Sequence, residues 1–120
     1  MSFIPPTGVD VRGVAATTTY PGPKLAVSGQ PQNLTGLNGV FSAGDDDVAV
    51  PGDGFNDTYS IGLFVSSGSV PPSAFASATF QCRPGATAPP ASEFSCTSQV
   101  TQALGLLVPS TCSLQIDVTP

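Results

Sequence analysis

Thr58-Tyr59-Ser60-Ile61-Gly62-Leu63-Phe64-Val65-Ser66 is the stretch that decides the fold, because Tyr59, Ile61, Leu63 and Val65 recur at every second residue. A two-residue period lines one face of an extended strand, whereas an amphipathic helix needs apolar residues three and four apart. The stretch therefore predicts a β-strand with one face turned to a core. Downstream, Ala76 to Cys82 sets Ala78, Phe80 and Cys82 against Ser77, Thr79 and Gln81. Glu93 to Thr97 groups Phe94 with Cys96, and Thr111 to Val118 aligns Cys112, Leu114, Ile116 and Val118. Upstream, Asp47 to Val50 and Leu37 to Ser42 are short candidates, and Lys24 to Ser28 lies between Pro21-Gly22-Pro23 and Gly29-Gln30-Pro31. Val9 to Ala15 sets Val9, Val11 and Ala15 against Asp10 and Arg12.

About eight short strands punctuated by turn residues predict an all-β antiparallel sandwich of jelly-roll or Greek-key type. Most of the 13 Gly and 13 Pro fall between the apolar runs, where turns belong. Helical signal is confined to Ser98 to Leu107, where Val100, Leu104 and Leu107 are suitably spaced. Gly105 interrupts that segment and Pro109 closes it, so at most one short helical turn is expected there. Residues 1–8, with Pro5, Pro6 and Gly8, read as an extended N-terminal arm preceding a single domain over residues 9–120. Phe3, Ile4, Val9 and Val11 are its candidate assembly contacts, an added strand for a neighbouring subunit's sheet edge.

Composition narrows the chemistry. Only 9% of the residues are charged, with three Lys and Arg, eight Asp and Glu and no His, for a net charge of −5. Most reaction classes need a positioned acid, base, nucleophile or metal. No Gly-x-Ser-x-Gly elbow, Ser-x-x-Lys pair or phosphate-binding glycine loop occurs. The expectation is a protein without enzymatic activity. Arg12, Lys24 and Arg83 are scattered, so no basic patch awaits a phosphate backbone and no nucleic-acid partner is expected. No apolar run approaches the ~20 residues of a membrane helix, so no membrane insertion is expected. The opening Met-Ser-Phe-Ile-Pro-Pro carries no signal core. Either a leader stood where Met1 now stands, or the protein is made without export by that route.

Two constellations are candidates for a site. Cys82, Cys96 and Cys112 each fall on the apolar face of a predicted strand, which suggests one structural disulfide and one buried thiol, with three pairings open. Without His to activate it, a catalytic thiol or a zinc site has little support. Asp45, Asp47, Asp53, Asn56 and Asp57 gather hard oxygen donors in a Gly-rich stretch, of the kind Ca²⁺ takes. They match no complete EF-hand, and the alternative is a solvated acidic loop that its own Phe55 anchors onto the sheet. No other cofactor is expected. Asn33-Leu34-Thr35 and Asn56-Asp57-Thr58 are glycosylation tripeptides, of consequence only in a glycosylating pathway.

The run Phe80-Gln81-Cys82, followed by Ala91-Ser92-Glu93-Phe94-Ser95-Cys96-Thr97 and Pro109-Ser110-Thr111-Cys112-Ser113-Leu114-Gln115-Ile116, resembles the closing strands of cohesin-like bacterial extracellular sandwich modules. The resemblance covers residues 75–119. It implies a jelly-roll-like sandwich in an exterior setting, and it transfers neither a dockerin partner nor any binding residue.

Three functional expectations follow. The first is a structural subunit that assembles with copies of itself or sits on a larger filament or particle, packing by shape with few ionic contacts. The second is a monomeric extracellular binding or adhesion module, stabilised by Ca²⁺. The third is a virion surface protein made in the cytoplasm. All three place the protein outside a cell or on the surface of a cell or particle.

Overall fold

In a computed structural model, residues 1–45, 57–103 and 105–118 are described, and they form an antiparallel β-sandwich. Eight strands run in chain order: β1 (Ser2–Ile4), β2 (Val11–Tyr20), β3 (Leu25–Asn33), β4 (Val40–Asp45), β5 (Asp57–Phe64), β6 (Ala76–Cys82), β7 (Ser95–Gln102) and β8 (Leu107–Ser113). One layer is a six-stranded sheet in the order β1-β8-β7-β2-β5-β4, and the other is the pair β3-β6. The only helical turn among the described residues is a 3-10 turn at Ala91–Glu93.

The strand at the centre of the prediction keeps its pattern. In β5, Asp57, Tyr59, Ile61 and Leu63 are buried and alternate with more accessible positions, and Val65 continues the buried set. β5 pairs with β2, placing Leu63 against Val14, Ile61 against Ala16 and Tyr59 against Thr18. These residues meet Leu25 of β3 and Ala76 of β6 in one core. Phe80 of β6 ties the layers together: its ring lies 4.8 Å from that of Tyr20, 6.1 Å from Tyr59 and 6.2 Å from Phe94. Tilted and edge-on ring pairs of this kind add ~0.5–1.5 kcal/mol each beyond their buried area.

Three expectations are corrected. Val9 to Ala15 as an unbroken alternation fails because the register slips between Val11 and Gly13. This bulge transfers the buried set to Val14, Ala16, Thr18 and Tyr20, and Ala15 becomes exposed. Ser98 to Leu107 is not helical: it is a hairpin, closed where Gln102 N–H donates to Leu106 O and Gly105 N–H to Gln102 O. Val100 is buried in β7, whereas Leu107 is exposed in β8, because the turn changes which face each residue lines.

The third correction concerns the arm. Phe3 is buried at 1% exposure, edge-on to Phe75 at 5.8 Å, and Val11 is buried with it. β1 pairs with β8, Ser2 bridges Ala74, and Phe3 N–H donates to Ser73 O while Phe75 N–H donates to Met1 O. The segment is thus ordered by its own domain, since a buried Phe contributes more here than a free extended segment would gain from water. Of the four proposed contacts, Phe3 and Val11 are core residues, Val9 packs against the core, and Ile4 is exposed. The short strand predicted at Asp47 to Val50 lies outside the described residues.

Candidate interaction surface

A β-strand whose one face is in a core must present the other, and in the six-stranded sheet that second face is open. The outward set begins on β2 with Gly13, Ala15, Thr17 and Thr19, and the pairing registers carry it across the sheet. Gly13 lies between Phe64 and Thr101, with Val40 beyond Phe64 and Leu107 beyond Thr101. Ala15 lies between Gly62 and Gln99, with Ser42 and Pro109 beyond. Thr17 lies between Ser60 and Thr97, with Gly44 beyond Ser60. Thr19 lies between Thr58 and Ser95.

Every one of these rungs is uncharged. Hydroxyls dominate the Thr17 and Thr19 rows, where Thr17 Oγ1 and Ser60 Oγ lie 2.9 Å apart in a hydrogen bond. The Gly13 row carries the exposed apolar side chains, with Thr101 standing between Gly13 and Leu107: Val40 is 68% exposed, Phe64 48% and Leu107 67%. Ile4 of β1 and Leu106 of the hairpin turn are exposed as well. The glycine has a steric reason, because a Cβ at residue 13 would come within 2.9 Å of Phe64 Cδ2. The Phe64 ring therefore extends over bare backbone between β5 and β2.

The described charges lie off these rungs. Arg12, in the bulge, is 3.9 Å from Asp10, which also accepts a hydrogen bond from Ser69 Oγ. Lys24 Nζ donates to both carboxylate oxygens of Glu93, at 2.8 and 3.0 Å. Asp45 accepts the Tyr20 hydroxyl at 2.6 Å, and Asp57 is buried. Burial, with Asp45 nearby, raises the Tyr59 phenol above its ordinary value of 10.0. Burial lowers the Met1 ammonium, which donates to Ala76 O.

The acidic constellation is only partly placed. Asp45 ends β4 and Asp57 begins β5, while Asp47, Asp53, Asn56 and Phe55 lie outside the described residues. Among the described residues no group of three acidic, Cys or His side chains is arranged to hold a metal. The cysteines resolve into one pair and one single. Cys96 of β7 and Cys112 of β8 form a disulfide with a Cα–Cα distance of 5.8 Å. Cys82 is free and exposed, which corrects the expectation that all three point inward. It ends β6 opposite Leu25. Asn33 is engaged through its amide, with Nδ2 donating to Leu37 O and Oδ1 accepting from Thr35 N–H and Oγ1.

Sequence reasoning missed the open face itself. Its signal was present as apolar residues on the polar side of strands: Phe64 between Leu63 and Val65, and Leu107 out of phase with Val108. No helix is long and apolar enough to cross a membrane among the described residues.

No family model, no curated protein and no solved structure matches the chain.

Proposed function

We propose that the chain is a non-enzymatic structural subunit that packs through the outer face of its six-stranded sheet against copies of itself, or against the surface of a larger filament or particle. The observation that carries this reading is the joining of an uncharged sheet face with exposed Val40, Phe64 and Leu107 in one row. Contiguous exposed apolar surface rimmed by polar groups marks an interaction site. Stacked sheets are a standard way to cover such a face, at ~10 Å separation. The composition supports the non-enzymatic part, since no His and three scattered cations leave little for proton transfer or anion binding.

The Cys96–Cys112 disulfide and the resemblance of residues 75–119 to cohesin-like extracellular modules favour an exterior, oxidising setting. The test is the solution mass by light scattering, for the parent and for Phe64→Lys. Concentration-dependent assembly that the lysine abolishes is the expected result. A parent that stays monomeric to millimolar concentration overturns self-packing.

A further inference from the structure

We infer that two copies of this chain stack outer face to outer face about a twofold axis running along β2, so that the face is self-complementary. This deepens the structural reading above and rests on it. The partner is argued from three properties of the face. The first is relief. On the β7-β8 side of β2 the outward residues are larger: Gln99, Thr101, Leu107 and Pro109. On the β5-β4 side they include the small Gly62, Ser60, Ser42 and Gly44, with Phe64 and Val40 at one end.

A twofold axis along β2 exchanges these sides while keeping every row in place. Gln99 then lies over Gly62 of the second copy, Pro109 over its Ser42, and Leu107 over its Val40. Thr101 offers its methyl to Phe64 of the second copy, whose ring extends over its own Gly13. A closed pair of this kind uses one patch twice, as isologous interfaces do.

The second property is charge. Each copy carries −5, so two copies repel at most approaches. The outward rungs bring no described carboxylate against another. The third is area. The five strands that face one another, at ~4.8 Å each, and rows spanning ~20 Å give a face of roughly 500 Å² per copy, the size of a weak, reversible pair and below the ~800 Å² per partner of a stable complex.

The test uses the full chain with Cys82→Ser, so that no exposed native thiol competes. Ala15 is exposed and lies on the proposed axis, so Ala15→Cys places two thiols opposite each other in the dimer. Val40→Cys or Leu107→Cys alone places like thiols far apart, and the double variant brings unlike ones together. With a mild oxidant or a short bis-maleimide, Ala15→Cys and the double variant should cross-link about tenfold faster or more than either single edge variant, because the held pair reacts at a high effective concentration. Circular dichroism confirms that each variant is folded. If the parent assembles but Ala15→Cys cross-links no faster than Val40→Cys, the axis is wrong and the structural reading stands. If the parent is a monomer throughout, the twofold stack falls together with self-packing.

Discussion

Removing the Cys96–Cys112 link tests how the sandwich is held at the β7-β8 end. The two cysteines are 16 residues apart, and the link joins neighbouring antiparallel strands at half-buried positions. In the chain-entropy account, closing a loop of this length lowers the entropy of the unfolded chain by an amount worth ~3 kcal/mol. Serine at both positions keeps the size and forfeits little packing. The double variant Cys96→Ser/Cys112→Ser should therefore lose about 3 kcal/mol. For a domain of this size that lowers the melting temperature by roughly 10 °C. The assay is urea unfolding followed by circular dichroism, with the midpoint and slope fitted together, because a changed slope would reveal a looser unfolded state. Cys82→Ser is the internal control: the side chain is exposed and unpaired with another cysteine, so its loss should stay within ~0.5 kcal/mol. A double variant within about 1 kcal/mol of the parent would refute the loop-closure reasoning, with that value well below the expected ~3. A Cys82→Ser loss exceeding the double variant's would refute the pairing itself.

Three further outcomes are expected. Tyr59 keeps its proton in the folded state beyond the pH at which it ionises in the unfolded chain, so stability is full below about pH 10 and falls as pH rises past it. Tyr59→Phe should remove that alkaline slope, and an unchanged slope in urea midpoints would count against the assignment. Thr18 Oγ1 is buried with no hydrogen-bond partner among the described residues, so Thr18→Val should stabilise by ~1–2 kcal/mol. A lower midpoint in the same urea assay would contradict this. A Cβ at Gly39 runs into the Phe64 carbonyl oxygen, whereas one at Gly44 meets nothing within 4 Å. Gly39→Ala should cost ~2 kcal/mol or more and Gly44→Ala should be neutral or slightly stabilising, and equal effects would show that strand spacing yields freely.

The strands legible in the sequence were those with strict alternation and one buried face. Thr58 to Ser66 was read nearly to its ends because Tyr59, Ile61, Leu63 and Val65 leave no helical alternative. The strand β2 was read only in part. Its second half, Thr17-Thr18-Thr19-Tyr20, puts a hydroxyl in the core, and the bulge at Arg12 moved the pattern out of phase. Ser98 to Leu107 misled because Val100 and Leu107 sit seven residues apart, which puts them on one face of a helix, whereas the hairpin puts them on opposite faces. β1 escaped because three residues beside two prolines carry no period, although Phe3 finds its place against Phe75 through tertiary packing alone. The disulfide was narrowed to three pairings and no further, since only strand adjacency brings residues 96 and 112 together. The open face was hidden for a related reason. Its exposed apolar residues Val40, Phe64 and Leu107 come from three strands, and only the sheet order puts them in one row.

Sedimentation equilibrium of the unaltered chain, from micromolar to millimolar concentration, tests the central claim most directly. The account predicts a reversible shift from one 12.0 kDa chain toward twice that mass or higher, which Phe64→Lys suppresses. A single monomeric species across the whole range, identical for parent and variant, would contradict it.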